Sequence, residues 1–204
     1  MLFPPSPLPQ MQERPLESIA DVQTGFPFRG KIESDPESNY RVIQGKDIQP
    51  DLSYDPKKLT RFNVPPRARP EGKLLQKDDI IVMTRTDSPY AVRITEALPH
   101  IVVQNSFNTI RIKSTESVLP GYLAMMLNQG LLRARIATLL KGSNIPYIRI
   151  EDLRNLSIPL PSIERQQQLT ELEAAFRHEQ NLHRQLETER QALLDALILE
   201  QISH

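Results

Sequence analysis

The stretch KGSNIPYIRIEDLRNLSIPLPSIERQQQL, Lys141 to Leu169, marks the point where the chain changes period. Lys141–Gly142–Ser143–Asn144 stops a preceding helical run, because glycine and short polar side chains favour turns over helix interiors. From Ile148 to Pro161 the text reads as an extended connector, since Pro159 and Pro161 lack the N–H that a helix interior needs. Ser162 then stands where an N-cap belongs, its hydroxyl placed to accept an orphan backbone N–H. One side of this junction is β-rich and the other is a single helix.

Toward the C-terminus, 37 residues pass from Ile163 to Leu199 without Pro or Gly. Leu172, Phe176, Glu179, His183, Leu186, Arg190, Leu193 and Leu197 step by four and three, the coiled-coil spacing. The seam is apolar at its ends and polar in its middle. A lone helix exposing such a seam is poorly stabilised in water, so it requires a partner helix.

Toward the N-terminus, GYLAMMLNQ (Gly121–Gln129) and LLRARIATLL (Leu131–Leu140) read as two short helices broken at Gly130. Before about Pro120 no helix-forming run occurs, and short strands alternate with Pro, Gly, Asp and Asn. The strands expected are Tyr40–Gln44, Asp79–Arg85, Ala91–Glu96, Ile101–Gln104 and Phe107–Lys113. The last alternates Phe107, Thr109 and Arg111 against Asn108, Ile110 and Ile112. Pro50 to Lys73 holds five prolines counting Pro50, and five basic residues before Lys73, so it reads as a cationic loop. Residues 1–14 read as a proline-rich tail. The fold class expected is α+β: a β-rich domain with short helices over 15–160, then one long coiled-coil helix over 161–204.

The chain of 204 residues is 39% hydrophobic and 25% charged, with a formal net charge of zero. It is long enough for one substantial core plus an appendage. Residues 1–160 carry 21 Lys+Arg against 17 Asp+Glu, whereas residues 161–204 carry 4 against 8. A mildly basic body with an acidic appendage permits nucleic-acid binding without demanding it. No apolar run approaches the ~18 residues of a membrane span, so no membrane association is expected. Neither is a signal peptide. The absence of cysteine excludes disulfides and cysteine-based zinc sites, and fits a cytoplasmic protein.

Two enzymatic readings fail for want of context. NIPY, Asn144 to Tyr147, differs by one residue from the [NDS]-P-P-[YFW] tetrapeptide of amino methyltransferases. Such an enzyme needs a glycine-rich turn for its cofactor, and the seven glycines of this chain include no G-x-G. Pro50–Asp51 with Glu71–Gly72–Lys73 imitates a PD-ExK nuclease, whose carboxylates sit on strands around a metal. Here the prolines of PPRARPEGKLL forbid a central strand. His178 and His183 are five apart, about 140° around a helix, and cannot share a metal as an i, i+4 pair would. No residue stands in a nucleophile-elbow setting. The chain presents no catalytic residue and no metal site.

The order of features resembles the specificity subunits of type I restriction–modification systems, from about Pro15 to Leu199. RPLESIADVQTGFPFRG (Arg14–Gly30) is similar to the opening of one of the family's target recognition domains. YRVIQGKDIQPD (Tyr40–Asp51) and LLQKDDIIVMTRT (Leu74–Thr86) resemble its internal strands, with Lys77–Asp78–Asp79 departing from the usual Gly–Asp. LPGYLAMMLNQ (Leu119–Gln129) resembles its helix. The most specific match is the opening stretch itself, where Ile158–Pro159–Leu160–Pro161 and Gln166 fall on signature positions. Ser162 replaces the second proline of a pair, and Arg165 replaces an acidic residue. The family carries two such units in tandem; this chain has one, so it resembles a half-subunit that dimerises.

The resemblance implies a non-catalytic subunit that recognises double-stranded DNA. Its partners would be a methylating subunit, which carries S-adenosylmethionine, and in restricting systems a translocating nuclease subunit; the chain itself needs no cofactor. The long helix would pair antiparallel with that of a second copy, through Leu172, Phe176, Leu186, Leu193 and Leu197. Thirty-seven helical residues span ~55 Å, or about 16 base pairs, which suits a bipartite target. Residue types that contact phosphates and base edges are presented at Arg29, Lys31, Lys57, Lys58, Arg61, Arg67, Arg69, Arg85, Thr86, Lys141, Ser143, Asn144 and Tyr147. The alternatives are a coiled-coil protein-interaction or regulatory module of a restriction system, and the PD-ExK nuclease.

Overall fold

The computed structural model describes residues 12–65, 68–96 and 99–202. The elements in chain order are β1 (Gln12–Pro15), α1 (Leu16–Ile19), β2 (Ala20–Thr24), β3 (Arg41–Ile43), β4 (Thr60–Arg61), β5 (Ile80–Met83), β6 (Ala91–Arg93), β7 (Ile101–Val103) and β8 (Phe107–Ile112). Then follow α2 (Pro120–Asn128), α3 (Gly130–Thr138), α4 (Ile150–Arg154), β9 (Ser157–Leu160) and α5 (Ile163–Ile202). Short 3-10 turns lie at Gly45–Asp47 and Pro70–Lys73.

The body is layered around an antiparallel sheet of order β2-β8-β5-β6. Ile80-Ile81-Val82-Met83 is buried throughout because both faces of this sheet are covered. Ile80 and Val82 pack with Val22, Ile110, Leu123, Leu127 and Leu153 on the helical face. Ile81 and Met83 face the other way, toward Ile43, Ile101, Val103 and Phe107. That second layer is a small sheet of order β4-β3-β7, in which β3 and β7 run parallel. Its outer face, Val42 and Val102, is closed by Phe26 and Phe62. Phe28 stands edge-on to both rings at 5.0 Å, a favoured aromatic geometry.

The structure corrects the sequence reading at several places, β2 and β4 being strands that the expected set omitted. Gln12–Arg14, assigned to the tail, form β1, paired antiparallel with β9 so that Gln12 meets Leu160; residues 1–11 lie outside those described. The extended connector is instead α4 followed by β9. Pro159 is tolerated in β9 because a two-stranded sheet is all edge. Helix also occurs before Pro120, as the single turn α1, whose Leu16 and Ile19 are buried.

The chain divides into two units, Met1–Gln166 and Gln167–His204. The first turn of α5 belongs to the body because Gln166 is bound there. Fully buried, it accepts the Leu119 N–H at 2.9 Å and donates to the carbonyls of Ser117 and Pro161 at 3.0 Å. Ser162 Oγ accepts the Arg165 N–H; the backbone N–H of Glu164 itself, and after it the Ser162 hydroxyl, hold the Glu164 carboxyl below its ordinary pKa. The second unit is helix throughout its described length, and Leu172, Phe176, Leu186, Leu193 and Leu197 are 43–60% exposed. No described helix is long and apolar enough to cross a membrane.

Candidate nucleic-acid interface

Strand directions in the body bring separate loops to one edge. β2 ends where β8 begins: the Gly25 N–H donates to Phe107 O, and the Phe26 N–H donates to Val103 O. β3 and β7, being parallel, end side by side, with the Gln104 N–H on Ile43 O. β5 ends beside the β7–β8 turn, where the Thr84 N–H and hydroxyl both donate to Ser106 O. Finally the Ile148 N–H donates to Thr84 O, which places the Lys141–Tyr147 hairpin against the end of β5. Gly25 is required for this convergence: a Cβ there would stand 2.5 Å from Gln104 O.

The hairpin is closed by reciprocal bonds of 2.9 Å between the backbones of Lys141 and Tyr147. Gly142 turns it with φ +89°, a left-handed conformation that favours glycine. Ser143, Asn144 and Ile145 are left at the exposed tip, with Ile145 66% and Tyr147 37% exposed. Lys141 itself turns back, its Nζ 2.7 Å from Asp152 Oδ2. In the neighbouring loop Arg85 is exposed and without a partner among the described residues. Thr86 shapes that loop, accepting the Ser88 N–H at 3.1 Å. Arg133 braces it from α3 through the Ser88 hydroxyl at 3.0 Å.

The FPFRGK loop leaves the same edge, clamped by Phe26 and Phe28 on Phe62, so Arg29 and Lys31 are held exposed. Lys57 and Lys58 lie in the loop that precedes β4, which Arg41 Nη1 ties down through the Pro56 carbonyl at 3.3 Å. Lys57 is exposed, and Lys58 lies 3.6 Å from Asp55. Arg61 lies at the other end of β3, opposite Arg41, and spends its Nη1 on the carbonyls of Pro36 and Ser38. It is a loop staple. Arg69 donates to the adjacent Ala68 carbonyl, and Arg67 falls outside the described residues.

Residues that sequence reading missed lie at this edge too: Gln44, Lys46, Gln104, Asn105 and Ser106. Amides in turns carry no periodic signal, so only the topology singles them out. The nuclease trio is dispersed into structural bonds: Asp51 accepts from Ser53, Glu71 from the Tyr40 hydroxyl, and Lys73 donates to Thr24 O at 2.7 Å. Burial there lowers the Lys73 pKa. Among the described residues no cluster of His, Asp or Glu could hold a metal.

A β body that gathers amide, hydroxyl and guanidinium side chains at one edge, joined to a forty-residue helix, defines a recognition domain with a helical extension. The chain belongs to the family of type I restriction-modification DNA specificity domains, whose model matches residues 10–189. Domains of this family supply specificity and not catalysis. No curated protein matches the sequence. In fold the chain is similar to the S subunit of a type I restriction-modification system from M. genitalium. That match has a TM-score of 0.56 and 20% identity, over 85% of this chain and 41% of that one. A chain from a structure of complex assembly and conformational transition of the type I R-M system matches with a TM-score of 0.67 and 18% identity, over 95% and 45%. The HsdS subunit from Thermoanaerobacter tengcongensis matches with a TM-score of 0.57 and 18% identity, over 87% and 39%. The chain thus spans less than half the length of each.

Proposed function

We propose that the chain is the sequence-reading subunit of a type I restriction–modification complex, acting as a homodimer on a bipartite DNA site. The observation that carries this reading is the edge to which backbone bonds bring four separate segments, those bearing Arg29 and Lys31, Arg85, Asn105, and Asn144. Cationic loop tips meet phosphates, while Arg, Asn and Gln read base edges. Lys141, Arg61 and Arg69 leave the contact set, because other bonds occupy them. Ser143 and Tyr147 remain in it at the hairpin, with Thr86 as a shaping residue.

Two copies joined through α5 would present two such edges, one for each half of an interrupted target. Methylation would come from a partner subunit carrying S-adenosylmethionine, and cleavage, where it occurs, from a translocating partner. DNA retardation by the chain with its methylating partner tests this reading. Sequence-selective, salt-dependent retardation and a footprint of two separated blocks are expected. One uninterrupted block removes the bipartite dimer, and loss of all selectivity returns the chain to a protein-interaction role.

A further inference from the structure

The polar middle of α5 holds Glu179, His183 and Arg190 between two apolar ends. An antiparallel twofold pair that sets Leu172 against Leu197 of the mate also sets Phe176 against Leu193, because the two numbers in each pair have the same sum. The same rule, applied inward, sets Glu179 against Arg190 and His183 against Leu186. Successive layers of an antiparallel coiled coil pair in this crossed way, and the symmetry produces each pair twice.

We infer that the reciprocal Glu179–Arg190 pair fixes both the direction and the register of helix pairing between two copies. This rests on the homodimer proposed above and specifies its interface. Both side chains are exposed in the single chain. Arg190 has no partner among the described residues, while Glu179 has only His183 at 3.9 Å. A parallel in-register pair would place Glu179 against Glu179 and Arg190 against Arg190, which like charge opposes. A slip of one heptad places Arg190 against Leu172 or Leu186, with no carboxylate opposite. The flanking positions raise no objection in the favoured register: Glu187 falls near Gln180 and Glu189 near Leu182. The apolar ends supply adhesion, and the central charges reject the wrong arrangements, as single polar residues do in coiled-coil seams.

The test uses the full chain and its charge reversals. Glu179→Arg alone juxtaposes two arginine pairs across the dimer, and Arg190→Glu alone juxtaposes two glutamate pairs. Each is expected to weaken self-association at least about tenfold, measured by sedimentation equilibrium. An equimolar mixture of the two variants restores opposite charges at both sites, so native mass spectrometry should show the mixed dimer dominating. The double variant Glu179→Arg/Arg190→Glu should recover wild-type self-association. A wild-type dimer whose single reversals associate normally, or whose mixture fails to recover, overturns the register while leaving the dimer standing. A wild-type chain that stays monomeric at high concentration overturns the dimer itself.

Discussion

Arg111 and Asp79 clasp neighbouring strands through two parallel bonds, Nε to Oδ1 at 2.8 Å and Nη2 to Oδ2 at 2.7 Å. Arg111 Nη2 also reaches the Leu74 carbonyl at 3.1 Å, and Asp79 accepts the Gln76 N–H at 2.7 Å. Asp79 is 1% exposed, and its bonds hold the Arg111 guanidinium above its ordinary pKa. Breaking one side strands a buried carboxylate. Arg111→Met is therefore expected to cost about 3 kcal/mol, toward the low end for buried pairs because the guanidinium is partly solvated. Urea unfolding of the variant, compared with Asp79→Asn/Arg111→Met, should show the double change to be the milder.

Gln166 explains why a glutamine stands at the start of the long helix. Its amide oxygen accepts the Leu119 N–H and its amide nitrogen ties down two carbonyls, from a position with no solvent access. Gln166→Ala is expected to destabilise the body by roughly 2–3 kcal/mol, through polar groups left unpaired. Gln166→Glu would keep the acceptor but lose both donations. Thermal unfolding followed by near-ultraviolet circular dichroism of the tyrosines reports the loss.

The arginines separate by what they touch. Arg85→Ala should leave stability unchanged, cost ~1–3 kcal/mol in specific DNA binding and relax one position of the target. Arg61→Ala should do the reverse, lowering the melting temperature by releasing the loop it staples while leaving base preference intact. Lys57→Ala should weaken binding to all sequences alike and reduce the salt slope by about one. Binding isotherms at several salt concentrations, beside melting curves, distinguish the three.

Tyr122 gives the fold a limit on the alkaline side. Its buried hydroxyl donates to Pro159 O at 2.7 Å, and burial pushes its pKa up to about 12 from the ordinary 10.0. The unfolded chain therefore releases this proton first as pH rises. The hydroxyl's contribution to stability is complete below pH 10 and is lost as pH climbs through about 12. Tyr40, Tyr54 and Tyr90 are raised too, so they act in the same direction. Denaturant titrations between pH 9 and 12 should show a decline that Tyr122→Phe makes shallower.

Much of this architecture is legible in the sequence. Ile80–Met83, Ile101–Val103 and Phe107–Ile112 announce themselves as strands by β-branched and aromatic runs, and α5 by its unbroken seam. Other parts leave no local trace. α1 and α4 are too short to show a period, and β1 finds β9 across nearly the whole domain. The candidate interface was half visible. Arg29, Lys57 and Arg85 stand out by charge, whereas Gln44 and Asn105 become candidates only once β3, β5 and β7 are known to end together. Arg61 and Lys141 show the converse limit, since the sequence does not reveal that carbonyls hold the one and a carboxylate the other.

The convergence of loops at one edge bears on how such a domain changes over time. Arg29, Lys46, Lys57, Arg85, Ser143 and Asn144 are exposed and lie outside the hydrophobic clusters that hold the sheets together. Substitution there is nearly free of folding cost, because surface changes away from packed or bonded features shift stability by about 0.5 kcal/mol or less. On the function proposed above, a lineage built on this body would trade one target for another by drift in a few tips, with its scaffold inherited intact.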